Sequence, residues 1–156
     1  MTQTFAPQVT SEAIDQAPAL QATLVELIDL SLQAKQAHWN VVGPAFKPVH
    51  EFLDELTGEY RGWSDLVAER LTAIGVSPDG RSATVSGSTS LVPIPAGPIE
   101  DQAALAAFDE RVTLVASNVR NRADRIGETD LASQDLLIEI LRGLEKQRWM
   151  LRAHRA

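Results

Sequence analysis

Hydrophobic residues recur every three or four positions along most of this chain, a spacing typical of amphipathic helices. The first helical stretch breaks at Gly43-Pro44, and the second stops before Gly75. No segment shows the strict alternation of a half-buried strand. The pattern predicts an all-α protein whose four long helices cover residues 20–42, 45–74, 101–126 and 131–154.

The connections between the helices predict how they are arranged. The first and third links are short, whereas residues 75–99 form a long second link rich in glycine, proline, serine and threonine. A long second link lets the third helix run in the same direction as the second, which is the ferritin-like version of the four-helix bundle. This crossover has room for a short helical turn, whose position the pattern does not fix. Residues 1–19, which include Pro7 and Pro18, are predicted to form a flexible arm, and residues 20–156 the bundle.

The length, the cysteine content and the net charge of the chain exclude several classes of function. The chain has 156 residues, enough for one domain with its own core. It has no cysteine, which excludes disulfides, thiolate zinc sites and cysteine nucleophiles. The formal net charge of −7 makes it a poor non-specific partner for nucleic acid. No apolar run is long enough to span a membrane, and the N-terminal residues lack a signal-peptide pattern, so we expect a cytoplasmic protein.

The candidate chemistry is concentrated in the second helix and just before it. Two of the three histidines, His38 and His50, lie there, and Asp54 follows His50 at the spacing i,i+4. Asp65 and Glu69 have the same spacing, which places each pair on one helix face. Imidazole and carboxylate donors without thiolate suit iron, manganese or zinc. The spacing therefore predicts a metal site.

Helix geometry predicts that this site is shared between two chains. At about 100° per residue, the four residues on the second helix lie about 150° from the centre of its apolar seam, so they point away from the core. Asp54 and Asp65 are about 16 Å apart along the helix axis. An antiparallel two-fold partner would place His50 and Asp54 of one chain opposite Asp65 and Glu69 of the other. The sequence has no Glu-x-x-His motif, which argues against a di-iron centre inside the bundle.

Each of these residues also has an ordinary structural interpretation. Charged residues opposite an apolar seam, such as Asp65 and Glu69, usually form a solvated face. His38 lies on the apolar stripe of the first helix, where a hydrogen-bonded core histidine is common. Trp39 taken alone would fill a core or an interface. The combination of residue types and spacings is what favours the metal site.

Two long segments carry a family resemblance: residues 35–70, KQAHWNVVGPAFKPVHEFLDELTGEYRGWSDLVAER, and residues 133–154, SQDLLIEILRGLEKQRWMLRAH. Both resemble the Dps family, the mini-ferritins of starved and oxidatively stressed bacteria. The resemblance implies a hollow dodecamer with tetrahedral symmetry and a ferroxidase site shared across a two-fold dimer. Its implied catalytic and metal-binding residues are His38, His50 and Asp54 of one subunit and Asp65 and Glu69 of its mate, with Trp39 beside the iron as an electron donor or radical trap. Lys35 lies one helical turn before His38, so we expect it to pair with a nearby carboxylate.

The resemblance also implies an acidic three-fold pore that admits iron. The matching candidates near the start of the fourth helix are Asp130, Asp135 and Glu139. A ring of carboxylates from three copies would raise the local concentration of Fe²⁺. The ordinary interpretation is that Asp130 caps the helix and that Asp135 lies in its first turns, where the helix dipole favours an acidic residue.

The activity implied by the resemblance is oxidation of Fe²⁺, preferably by hydrogen peroxide, followed by storage of ferric mineral. Such an activity would protect the cell from oxidative damage. Iron is the expected metal, and zinc or manganese are alternatives at the same site.

Two other functions would use the same cage. Some Dps proteins compact DNA through lysine-rich tails, but residues 1–34 contain no Lys or Arg, and the C-terminal basic patch consists of Arg148, Arg152 and Arg155. We therefore expect DNA binding to be weak or absent, and leave association with the nucleoid open. A metal that lowers the pKa of its bound water would instead make a hydrolase of amides or esters, which the sequence does not exclude.

Overall fold

The fold is built almost entirely from helices. The computed structural model of the protein describes residues 11–155, and their side chains from residue 15 onward. The elements in chain order are α1 (Ser11–Asn40), β1 (Val41–Val42), α2 (Phe46–Ala73), α3 (Ser82–Ser88), β2 (Ile99–Glu100), α4 (Asp101–Ile126) and α5 (Leu131–Ala153). The last three long helices begin and end within one residue of their predicted bounds. Across the residues that the structure describes, none of these helices combines the length and the hydropathy needed to cross a lipid bilayer.

The four long helices bury their apolar faces in one core. α1 lies against α2 and α4 against α5, and further contacts join α1 to α4 and α2 to α5. Tyr60 and Phe108 have the largest side chains among the fully buried residues. Burying one leucine of the predicted seams, such as Leu53, stabilises the fold by about 1.5–3 kcal/mol. The polar faces, including the site residues of α2, are left for the outer surface.

α1 begins nine residues earlier than the hydrophobic pattern predicts. It starts at Ser11 and contains Pro18, so the predicted irregular arm is wrong over its last nine residues, while residues 1–10 lie outside the described part of the chain. Gln16 in this added length is buried and donates a hydrogen bond to Oγ1 of Thr129 at 3.1 Å. Proline removes one backbone donor from a helix interior, and tertiary packing offsets that loss here.

The crossover between α2 and α4 is held against the bundle by side chains of α1 and α4. It contains α3, the short helical turn for which the sequence left room. The amide of Gln21 donates to the backbone oxygen of Asp79 at 2.8 Å and accepts from its backbone N–H at 2.9 Å. Farther along, Arg111 donates to the backbone oxygen of Val92 at 2.8 Å. The long link thus joins α2 to α4 as the ferritin-like bundle requires.

A small parallel bridge ties the end of the crossover to the turn between α1 and α2. β1 pairs with β2, with Val41 opposite Ile99 and Val42 opposite Glu100. The predicted all-α fold is confirmed, and this two-residue bridge is an addition that the sequence analysis did not identify. Strands of two residues are too short to show an alternating pattern, so the sequence carries no signal for them.

Candidate metal centre

His38 and His50 lie face to face where α1 ends and α2 begins. Their ring centroids are 3.6 Å apart, and the ring planes are inclined by 20°. Nδ1 of His38 lies 2.7 Å from the backbone oxygen of His50, and Nδ1 of His50 lies 2.8 Å from the backbone oxygen of His38. Each ring is therefore oriented by the backbone of the other histidine.

These hydrogen bonds fix the tautomer of both rings. A carbonyl oxygen can only accept, so Nδ1 of each ring carries the proton and donates it. In the neutral ring Nε2 then keeps its lone pair, which is the form in which histidine binds metals. His38 is buried, as the ordinary core interpretation predicts, yet its Nε2 is left available to a ligand.

Asp54 and both histidines line one cleft of about 340 Å³, together with Glu51 and Glu55. The ammonium group of Lys35 donates to Oδ1 of Asp54, which confirms the expected pairing of Lys35 with a nearby carboxylate. This hydrogen bond lowers the pKa of Asp54 below its ordinary value of 3.8 and outweighs the opposing effect of desolvation. The cleft thus combines two oriented imidazoles with an ionised carboxylate.

Asp65 and Glu69 are exposed on α2, farther toward its C-terminal end. Neither forms an ion pair with another described residue. Over residues 15–155, no group of three or more acidic or histidine side chains in one protomer is close enough to hold a metal ion. The structure therefore places His38, His50 and Asp54 around one cleft and leaves the second carboxylate pair apart from it, as the helix geometry predicts.

Two large apolar side chains close in sequence to the histidines of this cleft are exposed at the surface. Trp39 is 67% exposed, so its interpretation as a core residue is wrong. Phe46 is also exposed, and its ring centroid lies 5.1 Å from that of His50. Phe46 is not among the residues predicted for the site, although its position two residues after the Gly-Pro break was an available signal. Exposed apolar groups around a polar cleft are typical of a surface that another protein covers.

Asp130, the first pore candidate, is the N-cap of α5. Its side chain accepts from the backbone N–H groups of Ala132 and Ser133 at 3.1 and 3.0 Å and from Arg70 at 2.9 Å. Burial alone would raise the pKa of Asp130, but the hydrogen bonds from Ser133 and Arg70 outweigh it and leave the pKa below its ordinary value. The capping interpretation is confirmed, and the charge of this carboxylate is neutralised by Arg70.

The other two pore candidates, Asp135 and Glu139, are exposed on α5 and share one helix face. Neither is ion-paired with another residue of the described chain. Their carboxylates are accessible from outside the protomer, in contrast to that of Asp130. The three-fold pore itself remains a prediction.

Two of the three arginines in the C-terminal basic patch are engaged by one carboxylate of α4. Nε of Arg152 lies 3.1 Å from Oδ1 of Asp109, and a terminal nitrogen of Arg155 lies 3.6 Å from Oδ2. Asp109 therefore neutralises part of the patch, which reduces the positive charge it can offer to a phosphate backbone.

Similarity to known proteins extends over most of the chain. The family model described as a ferritin-like domain matches residues 17–156. The DNA protection during starvation protein of Mycolicibacterium smegmatis is 39% identical over 143 residues, which cover 92% of this chain and 78% of that protein. The crystal structure of Dps92 from Deinococcus radiodurans has a TM-score of 0.90 at 35% identity, covering 92% of this chain and 87% of its own. Dps from Microbacterium arborescens in the high iron form has a TM-score of 0.87 at 36% identity, covering 92% and 93%.

Proposed function

Since this chain belongs to the Dps proteins of the ferritin-like family, we propose that it is a ferroxidase and an iron store. The resemblance read from the sequence is confirmed, and with it the ferritin-like fold and the general role of the family in binding iron and protecting cells. In this proposal the protein oxidises Fe²⁺ with hydrogen peroxide at sites shared between two subunits. The ferric product is then stored as mineral inside a dodecamer.

The observation that carries the proposal is the reciprocal hydrogen bonding of His38 and His50. It occupies Nδ1 of each ring and leaves Nε2 as the nitrogen that can bind a metal, and both rings line the same cleft as Asp54. Hydrogen bonds from the second ring nitrogen to a backbone carbonyl are the usual way in which metal-binding histidines are oriented. Two nitrogen donors and carboxylate oxygens suit Fe²⁺ and require no thiolate.

The proposed reaction balances as 2 Fe²⁺ + H₂O₂ + 2 H⁺ → 2 Fe³⁺ + 2 H₂O. Each iron gives up one electron, and the peroxide takes up both as its O–O bond breaks. The part of the chain is to bind and orient the two Fe²⁺ substrates through His38, His50 and the carboxylates. A small set of nitrogen and oxygen ligands also allows the ferric product to leave after turnover. The reaction removes iron and peroxide together, the two reagents that would otherwise produce hydroxyl radicals.

We place the second half of each site on the partner. Asp65 and Glu69 are exposed and form no ion pair among the described residues, so they are accessible to a neighbouring subunit. In an isologous dimer the same surface patch meets itself, so the site forms twice. The exposed apolar side chains of Trp39, Phe46 and Leu66 supply the apolar area that such an interface needs.

Two supporting roles belong to the same proposal. Trp39 directly follows a ligand histidine and would donate an electron when a single iron meets peroxide. Asp135 and Glu139 would attract Fe²⁺ at a three-fold opening, because their carboxylates are exposed and not ion-paired within the described chain. Asp130 would shape that opening as a helix cap more than as a charge, since Arg70 neutralises it.

The identity of the metal also decides between this proposal and the hydrolase alternative. The same donors accept zinc and manganese, so the metal must be measured in the protein as isolated. Turnover of amide or ester substrates by the zinc-loaded protein would favour hydrolysis.

Stopped-flow absorbance of Fe²⁺ oxidation tests the proposal directly. Wild-type protein, shown by light scattering to be a particle of about 200 kDa (twelve times 17.0 kDa), should oxidise two Fe²⁺ per peroxide in a fast phase. His50→Ala and Glu69→Ala should each slow this phase by at least about tenfold, the change given by about 1.4 kcal/mol of lost stabilisation. Glu110→Ala, which removes an exposed carboxylate from α4, is the matched control and should oxidise iron like wild type.

Mixed dimers test whether the site is shared. His50→Ala and Glu69→Ala subunits, dissociated, mixed and reassembled, should regenerate some intact sites and part of the fast phase. Assembled particles without fast peroxide-driven oxidation in the wild type would refute the proposed function. Well-mixed dimers without any recovery would refute the sharing.

A further inference from the structure

We propose that Asp101 is a positioning residue for the metal site. Its carboxylate holds the turn that joins His38 to His50, and so sets how the two imidazoles face Asp54. This inference rests on the proposed function, because it concerns the geometry of the same site. Asp101 itself touches neither histidine and was not a candidate in the sequence.

The contacts of Asp101 reach two helices at once. It is the first residue of α4 and is only 5% exposed. Oδ2 accepts a hydrogen bond from the backbone N–H of Ala45 at 2.6 Å, and Oδ1 accepts from the backbone N–H of Gln102 at 2.7 Å. Ala45 is the N-cap of α2, and its side chain cannot serve as a cap. Asp101 therefore caps α2 from another part of the chain.

This arrangement explains why a buried carboxylate is tolerated there. Asp101 forms no ion pair with any residue in the described part of the chain, and a buried unpaired charge is normally costly. Its carboxylate lies at the N-terminal ends of both α2 and α4, where free N–H groups and the helix dipoles favour negative charge. One side chain thus locks the starting points of two helices to each other.

Gly43 shows how closely the turn is held. Its φ is +127°, a conformation that favours glycine. A Cβ atom at this position would lie 2.6 Å from Oδ2 of Asp101, so the backbone approaches the carboxylate closer than any side chain would allow. On the other side of the turn, Val41 pairs with Ile99 two residues before Asp101. The turn is therefore clamped on both sides by the segment that enters α4.

The position of this turn controls the two histidines. His38 lies in the last turn of α1, and His50 lies near the start of α2. Each imidazole is oriented by the backbone oxygen of the other histidine. A shift of the start of α2 relative to the end of α1 would break both hydrogen bonds together. Asp101 prevents that shift, although it contacts no metal ligand.

The test compares Asp101→Ala and Asp101→Asn with a control in the same crossover. Asparagine keeps one acceptor oxygen but turns its NH₂ group toward the backbone N–H of Ala45 or of Gln102. It should therefore weaken the link between the starts of α2 and α4 without leaving a cavity. Gln21→Ala is the matched control, because Gln21 holds the opposite end of the crossover through two hydrogen bonds to the backbone of Asp79. Light scattering should show that each variant assembles like wild type.

Amide hydrogen exchange and Zn²⁺ affinity measure the two expected effects. In the metal-free protein, Asp101→Ala should speed amide hydrogen exchange in residues 41–50, whereas Gln21→Ala should speed it only near Asp79. Isothermal titration with Zn²⁺, a redox-inert probe, should then show about 10- to 100-fold weaker binding for Asp101→Ala, as for other outer supports of metal ligands. Asp101→Asn should show a smaller loss in the same direction, and Gln21→Ala should bind Zn²⁺ like wild type.

The inference is overturned if Asp101→Ala leaves exchange in residues 41–50 unchanged, or if faster exchange leaves Zn²⁺ affinity unchanged. If Asp101→Ala does not assemble, the same criteria apply to Asp101→Asn. A wild-type protein that binds Zn²⁺ no better than His50→Ala would instead contradict the proposed function. The hydrogen-exchange comparison would still decide whether Asp101 clamps the turn.

Discussion

The ammonium group of Lys35 pairs with the carboxylate of Asp54, one of the proposed metal ligands. The Lys35 side chain is 26% exposed and that of Asp54 is 52% exposed, so the pair lies close to solvent and contributes little to stability. In the proposed site, the ammonium would compete with Fe²⁺ for Oδ1 of Asp54. Lys35 therefore orients the carboxylate and competes for it at the same time.

Replacing Lys35 with alanine should strengthen metal binding, because no ammonium then competes for Asp54. Zn²⁺ titration at neutral pH measures this directly. Lys35→Arg should bind as wild type does, and Lys146→Ala, which removes an exposed lysine from α5, controls for the change in overall charge. Weaker binding by Lys35→Ala would show that orientation of Asp54 outweighs competition.

The pH dependence of metal binding should be the same in wild type and Lys35→Ala. Lys35 lowers the pKa of Asp54 from its ordinary value of 3.8, so Asp54 is ionised well above that pH with or without the lysine. Zn²⁺ titrations of the two proteins at about pH 7 and about pH 5, both above the ordinary pKa of a carboxyl group, should therefore lose affinity in parallel. A pH profile that moves in Lys35→Ala would show that Asp54 takes up a proton in this range once the lysine is removed.

At the scale of the helices, Asp130 joins the start of α5 to the end of α2. It caps α5 through two backbone N–H groups and binds Arg70 in the last turn of α2. Asp130→Ala should lower the free energy of unfolding by about 1 kcal/mol from the lost cap, and more because Arg70 loses its partner. Thermal melting at fixed protein concentration measures the loss, and Glu128→Ala, an exposed residue of the same turn, should melt like wild type.

The difference in melting temperature between wild type and Asp130→Ala should vanish at low pH. The folded-state pKa of Asp130 lies below its ordinary value of 3.8, so its ionised form stabilises the fold above that pH. The contribution falls as the pH drops through the folded-state pKa. Wild type and Asp130→Ala should therefore converge in melting temperature at low pH. A difference that persists there would mean that the cap does not depend on ionisation.

At the scale of the whole molecule, charge decides the interaction with DNA. Each chain carries −7, and Asp109 pairs with both Arg152 and Arg155, which offsets part of their positive charge. We expect no retardation of duplex DNA at ~0.15 M salt, where the Debye length is about 8 Å. Asp109→Asn should free both arginines and increase binding at low salt.

The matched control for this experiment is Asp124→Asn, which removes the same charge from an exposed position on α4. It should bind DNA less than Asp109→Asn. Retardation by the wild type at ~0.15 M salt that disappears on adding more salt would overturn the expectation of weak DNA binding.

The sequence alone determined the bounds of three long helices and the residues that we propose for the site. The bounds of α2, α4 and α5 follow from apolar spacing and from Gly and Pro, because these are local signals that act within a few residues. The same periodicity showed that Asp54 and Asp65 face away from the core and lie too far apart to share one ion within a chain. The proposed ligands on α2 therefore follow from residue type and spacing, both of which are local properties of the chain.

Tertiary structure alone decided what depends on contacts between distant residues. The extension of α1 back to Ser11 depends on packing of Gln16 against Thr129, which overrides the break that Pro18 suggests. The stacked pair of histidines requires two helix ends to meet at a fixed distance, which no local pattern encodes. That distance is set by Asp101, 51 positions after His50 in the sequence, because only the folded chain brings its carboxylate to the N-terminus of α2.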